Sequence, residues 1–130
     1  MPARRFNDVT LAALHKSQTL RIRAGNGKHR FIGIWVVVVN GRVFVRSWSL
    51  KPKGWYRAFL KNPRGAIQIA RREFPVRAVH TRSQRVKHAV DRAYLEKYST
   101  TWMIKYAKDL VRPQSRNATI ELVPIPAASL

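Results

Sequence analysis

The feature that most constrains the fold is an apolar run that ends in a hairpin signal. Residues 34–39 read Ile-Trp-Val-Val-Val-Val, a β-branched and nearly continuous run that predicts a strand covered on both faces. Asn40-Gly41 follows directly and favours a type I′ turn, because both central residues of that turn need a positive φ. We therefore expect one strand over residues 30–39 and a returning antiparallel strand over residues 42–48.

Periodicity predicts the other elements. Leu20, Ile22 and Ala24 alternate with arginines, which is typical of a half-buried strand. Further strands are expected around residues 67–69, 74–78 and 118–123, and helices over residues 8–15, 55–60, 83–98 and 101–111. Hairpins dominate this order, so the sheet is expected to be antiparallel and to close into a barrel. The sequence thus predicts a single domain over residues 1–130, mainly β with helices (an α+β fold).

The charge is strongly uneven. The chain has 26 Lys and Arg against 6 Asp and Glu, a net charge of +20, and residues 9–72 contain fourteen Lys or Arg and no carboxylate. Such a field attracts anions, among them phosphate-bearing cofactors, nucleic acid and anionic membrane surfaces. The sequence has no cysteine, no metal-ligand spacing among its four histidines and no Gly-x-Ser-x-Gly motif, which disfavours metalloenzymes and hydrolases. Without a signal peptide or an apolar run of about 20 residues, we expect a cytoplasmic protein that does not enter a membrane.

Basic and aromatic side chains are expected to gather at one end of the barrel. The hairpin places the start of strand 30–39 beside the end of strand 42–48. The groups that converge there are the cations Lys28, Arg30, Arg46, Lys51 and Lys53, the hydroxyl of Ser47, and Trp55 at the start of a helix. Arginine, lysine and serine bind phosphate, as do the free N–H groups of a helix start. Aromatic rings can stack on a flat ligand, but Trp55 fits a core position better than a binding one, and Trp35, in its apolar strand, does so more strongly still.

An ordered set of short motifs resembles the split-barrel flavoproteins. The motifs are Gly27-Lys28-x-Arg30, Ile34-Trp35-Val36-Val37-Val38, Val45-Arg46-Ser47, Lys53-x-Trp55-Tyr56, Leu60-x-Asn62-Pro63 and Val76-Arg77-Ala78. The match covers about residues 20–80 and the last strand. The chain is similar to the deazaflavin (F420)-dependent nitroreductase-like proteins and to related uncharacterised bacterial split-barrel proteins, within the pyridoxamine-phosphate oxidase-like superfamily.

The resemblance implies a six-stranded antiparallel FMN-binding-type split barrel, paired as a homodimer with FMN or F420 in the seam. It implies an oxidoreductase that passes hydride between this cofactor and an organic substrate. The cofactor-binding positions are then Lys28, Arg30, Trp35, Arg46, Ser47, Lys51, Lys53 and Trp55, with no metal ligand and no catalytic residue assigned. Arg46 and Ser47 should point to opposite faces, and the family counterpart of Ser47 lies at the cofactor. The loop 49–54 departs from the nitroreductase pattern.

Two other functions stay open from the sequence. One is a cofactor-binding protein of the same fold without catalysis. The other is a nucleic-acid-binding protein, which the charge favours although no helix-turn-helix, zinc-finger or RNA-recognition signature is present. The aromatic residues Tyr94, Tyr98, Trp102 and Tyr106 recur every four residues. They predict either a core stripe or a groove in which Tyr98 or Tyr106 positions a substrate.

Overall fold

Six antiparallel strands close into a barrel in the order β1-β2-β3-β6-β5-β4. The computed structural model describes residues 5–25, 30–48 and 54–125. The strands are β1 Thr19–Ala24, β2 Ile32–Val39, β3 Arg42–Arg46, β4 Arg64–Ile69, β5 Arg72–His80 and β6 Thr119–Pro124. The helices are α1 Asp8–Lys16, α2 Trp55–Lys61, α3 Gln84–Lys97, α4 Ile104–Leu110 and α5 Pro113–Asn117. The predicted antiparallel split barrel with helices is thereby confirmed.

The predicted hairpin between β2 and β3 is confirmed in detail. Asn40 and Gly41 have φ values of 52° and 74°, as a type I′ turn requires. The register that follows pairs Val39 with Arg42 and Val36 with Val45. A second turn with two positive φ values, at Ala70 and Arg71, joins β4 to β5.

The helices begin where the sequence offers a cap. Asn7 accepts a hydrogen bond from the Thr10 amide at 2.8 Å and starts α1. Ser83 accepts one from the Val86 amide at 3.3 Å and starts α3. The short helix α5 was not predicted. Pro113 occupies its first turn, a position that proline tolerates well.

Two apolar clusters lie on opposite faces of β2 and β3. Val36 and Val45 belong to the cluster inside the barrel, whereas Val37 and Phe44 belong to a second cluster beneath α3 and α4. The prediction that residues 34–39 are covered on both faces is therefore correct. No helix within the described ranges is long and apolar enough to cross a membrane.

Candidate functional site

A groove with a volume of about 690 Å³ lies where the start of β2, the end of β3, α2 and α4 meet. We call it the aromatic groove. Its lining residues are Ile32, Gly33, Ile34, Trp35, Arg46, Ser47, Trp48, Gly54, Trp55, Trp102, Tyr106 and Leu110.

All four tryptophans of the sequence line this groove. Trp35 stacks in parallel on Tyr98, with ring centroids 3.9 Å apart, and meets Tyr106 edge-on at 6.4 Å. Its position on the outer face of β2 follows from strand alternation, since Ile34 and Val36 on either side face the barrel interior. Trp35 was predicted to contact a cofactor, and the structure places it in the groove wall.

The other indoles differ in exposure. Trp55 is half-buried and meets Tyr56 and Phe59 edge-on at 6.3 and 6.2 Å, so it both packs on the core and faces the groove. Trp48 and Trp102 are 63% and 61% exposed, values that are high for indoles in a monomeric protein. The Trp48 indole N–H donates to the Asp109 carboxylate at 3.3 Å, which links the end of β3 to α4.

Arg46 and Ser47 were both predicted as cofactor contacts, and the structure separates them. The Arg46 guanidinium points beneath α3 and α4, where it donates to Asp91, the Thr119 hydroxyl and the carbonyls of Leu110 and Lys87. Burial lowers the pKa of this guanidinium, and the hydrogen bond and charge of Asp91 oppose that effect. These partners use four of the five N–H groups of Arg46, so we do not retain it as a phosphate ligand. Nor does it face solvent, being 3% exposed.

Ser47 follows β3 at the groove and is buried, at 1% exposed. Ser47 thus stays a candidate cofactor contact.

A smaller recess of about 200 Å³ adjoins the aromatic groove and shares Ile32, Gly54 and Trp55 with it. We call it the basic recess, because Arg23 and Arg30 line it. Arg30 is exposed, as expected of a cation available to a ligand.

Arg23 was not singled out from the sequence. Its guanidinium lies 4.3 Å from the centre of the Phe31 ring and 3.9 Å from the Glu73 carboxylate. Its buried Nε has no hydrogen-bond partner among the residues described. The only sequence signal was its alternation with Ile22 and Ala24, which identified it as a polar-face residue of β1.

The other predicted cations, Lys28, Lys51 and Lys53, lie outside the described residues. Segment 26–29 ends before Arg30 of the basic recess, and segment 49–53 joins Trp48 to Gly54 of the aromatic groove.

The four aromatic residues spaced along 94–106 divide into two pairs. Tyr94 and Tyr98 are fully buried. Their hydroxyls donate to the main-chain oxygens of Trp35 and Gln18 at 3.0 and 2.6 Å. Burial raises the pKa of both, that of Tyr98 to about 12. The idea that Tyr98 positions a substrate is therefore wrong. Tyr106, at 39% exposed, and Trp102 do face the groove.

The described lining of the aromatic groove contains no carboxylate and no imidazole. Groups of three or more metal-binding side chains are also absent from the described part of the chain. The groove can therefore stack on and enclose a flat ring, while the adjoining recess can offer guanidinium groups to an anion.

The family model for uncharacterized proteins conserved in bacteria (DUF2255) matches residues 10–122. No curated protein matches the chain in sequence. Solved structures that share its fold include the following three.

The first is a proposed pyridoxamine 5'-phosphate oxidase from Listeria innocua, with 15% identity, a TM-score of 0.57, and coverage of 92% of this chain and 92% of that one. The second is an F420-H2 dependent reductase (FDR-A), with 20% identity, a TM-score of 0.54, and coverage of 81% and 91%. The third is a FAD-binding protein from Mesorhizobium loti, with 11% identity, a TM-score of 0.53, and coverage of 95% and 92%. At these identities the likeness establishes the split-barrel fold.

Proposed function

We propose that this chain, which belongs to the DUF2255 family of bacterial proteins, binds a flavin-type, phosphate-bearing cofactor in the aromatic groove. The observation that carries the proposal is the collection of all four tryptophans around one groove of about 690 Å³. This volume lies within the range of small-molecule sites, which are mostly apolar with a few polar groups. The solved split-barrel structures that the chain resembles include an F420-H2 dependent reductase and a FAD-binding protein.

The two cavities suit the two ends of such a cofactor. The ring system would lie among Trp35, Trp55 and Trp102, whose faces and edges offer a stacking surface. The phosphate would lie toward the basic recess, where Arg23 and Arg30 supply guanidinium donors. The two cavities adjoin, since they share three lining residues, and we propose that one ligand occupies both.

The sequence adds further phosphate donors to this end. Five residues, 49–53, connect Trp48 to Gly54, and both of these line the groove. Lys51 and Lys53 belong to this connection, which lies outside the described residues. We retain Lys28, Lys51 and Lys53 as proposed phosphate ligands, together with Ser47 in the groove wall.

A second copy of the chain is the proposed cover of the groove. Large apolar side chains at its rim are exposed: Trp48, Trp102, Ile32 at 40% and Tyr106 at 39%. Contiguous exposed apolar surface of this kind typically marks an interaction site. A homodimer would remove it from water and enclose the cofactor.

The proposed activity is that of an oxidoreductase acting on an organic substrate. The cofactor, when bound, supplies hydride transfer. The protein's own contribution is to hold the ring, anchor the phosphate and exclude water. Tyr106 is the ionisable side chain of the described lining that remains free to meet a substrate, since the described donors of Arg46 are mostly satisfied. Because no carboxylate or imidazole lines the described groove, a cofactor-binding protein without catalysis is the second candidate.

Affinity measurements on variants test this arrangement. Ser47→Ala and Lys53→Ala should each weaken FMN or F420 binding by about ten-fold or more, as expected for loss of a charge-assisted contact of about 1.5–3 kcal/mol. Lys61→Ala on the exposed end of α2 is the matched control for Lys53→Ala and should leave affinity unchanged. A variant with wild-type affinity removes its residue from the site. Binding without reduction of any organic acceptor would favour the non-catalytic candidate.

A further inference from the structure

A second groove runs along α3, apart from the aromatic groove. Three adjoining cavities of about 410, 590 and 310 Å³ follow α3 from Arg85 to Lys97, between this helix and the outer face of β2 and β3. None of their lining residues belongs to the aromatic groove. Twelve helical steps of 1.5 Å give this α3 groove a length of about 18 Å.

The charges along the α3 groove are almost all positive. Arg85, His88 and Arg92 recur at helical spacing on the exposed side of α3 and line the groove. Glu96 is the one carboxylate among its described lining residues.

Arg85 and Arg92 differ from the other cations of the groove in their partners. Arg42 is held by Glu121 at 2.7 Å, and Lys97 donates to the carbonyls of Leu14 and Val36 at 3.0 and 2.8 Å. Neither Arg85 nor Arg92 forms an ion pair with a residue that the structure describes. Their guanidinium groups are therefore available to an anion outside the chain.

The shape of the groove selects among anionic partners. Its lining includes the small apolar residues Val39, Ala89 and Ala93, which offer no deep pocket for the aromatic anchors of a protein partner. Phe44 is the aromatic residue of the described lining and is fully buried, so no base can stack on it as single-stranded nucleic acid requires. A row of arginines beside a smooth floor fits a chain of phosphates. Over 18 Å a duplex presents about ten phosphate charges.

We propose that the α3 groove binds the phosphate backbone of duplex nucleic acid, without reading its sequence, through Arg85 and Arg92. The net charge of +20 strengthens the association at long range. This site is independent of the cofactor, because the two grooves share no lining residue.

The test measures binding of a fluorescent 20-base-pair DNA duplex by anisotropy, at several salt concentrations. The double variant Arg85→Ala/Arg92→Ala should lose about ten-fold or more in affinity at 0.1 M salt. The slope of log affinity against log salt should fall by about 2, since each lost phosphate contact removes about 0.9. The matched control Arg57→Ala/Lys61→Ala removes the same charge from the exposed face of α2 and should keep the wild-type slope. FMN or F420 affinity should be the same in the groove variant as in the wild type.

Three results would overturn the proposal. The first is a wild-type protein that does not bind the duplex at about 50 mM salt. The second is an equal loss in both double variants, which would mean diffuse attraction to the whole surface. The third is tighter binding of poly-glutamate or of a single strand than of the duplex, which would assign the groove to another class of partner.

Discussion

The indole of Trp35 lies flat on the phenol ring of Tyr98, with centroids 3.9 Å apart and planes within 1° of parallel. The Tyr98 hydroxyl donates to the Gln18 carbonyl at 2.6 Å and accepts from the Val36 amide at 3.1 Å. Helix α3 thereby fixes the position of an indole in the wall of the aromatic groove. The core beneath α3 and the candidate site share this contact.

Tyr98→Phe should keep the stack and lose the hydroxyl. The Gln18 carbonyl and the Val36 amide then lose a buried partner, which we expect to cost about 1–3 kcal/mol of the free energy of unfolding. Denaturation in urea measures this. A Tyr98→Phe protein as stable as the wild type would show that these hydrogen bonds contribute nothing.

Arg46→Met should separate stability from ligand binding. It removes a buried guanidinium and leaves Asp91 with Arg116 at 3.2 Å as its remaining arginine partner. Breaking a buried ion pair costs about 3–5 kcal/mol, and Arg116 should reduce that cost. At temperatures where the variant remains folded, cofactor affinity should stay within a few-fold of the wild type. A large loss of affinity without a loss of stability would return Arg46 to the phosphate site.

Lys97 should make stability depend on pH. Burial lowers the pKa of its ammonium from 10.5 to about 8. Between pH 8 and 10 the unfolded chain therefore holds a proton that the folded chain has lost, and the free energy of unfolding rises with pH. The buried tyrosines act in the opposite sense only above pH 10, because burial raises their pKa values.

The measurement is the difference in unfolding free energy between the wild type and Lys97→Met at pH 7.5, 8.5 and 9.5. As pH increases, the free energy of unfolding of the wild type should rise relative to that of Lys97→Met. Lys97→Arg keeps its charge throughout this range, so its difference from Lys97→Met should stay constant. If the difference between the wild type and Lys97→Met were also independent of pH, the lowered pKa of Lys97 would be contradicted.

Local signals in the sequence predicted much of the barrel, whereas long-range contacts determined the site. Asn40-Gly41 identified its turn from two residues, because the required φ values are rare outside Asn and Gly. The turn at Ala70 and Arg71 has positive φ values with no such signal, so only its approximate position could be predicted from the sequence.

The burial of Arg46 and its pairing with Asp91 could not be predicted from local patterns in the sequence. Its carboxylate partner Asp91 lies 45 positions away, and local patterns do not show which cation a distant helix will bury. The same holds for Tyr98, whose hydroxyl meets Val36 across 62 positions. Trp35 and Trp55 left a choice between core and site in the sequence, and the structure shows each one serving the core packing and facing the groove.

We expect the chain to form a homodimer that covers its exposed indoles. A chain of 15.0 kDa should behave in light scattering as a particle of about twice that mass. Two copies carry twice +20, or +40, so moderate salt should strengthen the dimer by screening this repulsion. Trp102→Ser should weaken it, because it removes an indole that is 61% exposed in the single chain. A strict monomer at tens of micromolar would contradict the proposed cover of the groove.

The central claim is tested most directly by titrating the wild-type protein with FMN and with F420 at low salt while following tryptophan fluorescence. Because all four tryptophans line the aromatic groove, a bound flavin-type ring should quench most of the protein's emission. We expect saturable quenching with a dissociation constant below about 100 micromolar for at least one of the two, a level typical of specific cofactor binding. Unchanged tryptophan emission with both cofactors at 100 micromolar would contradict the account.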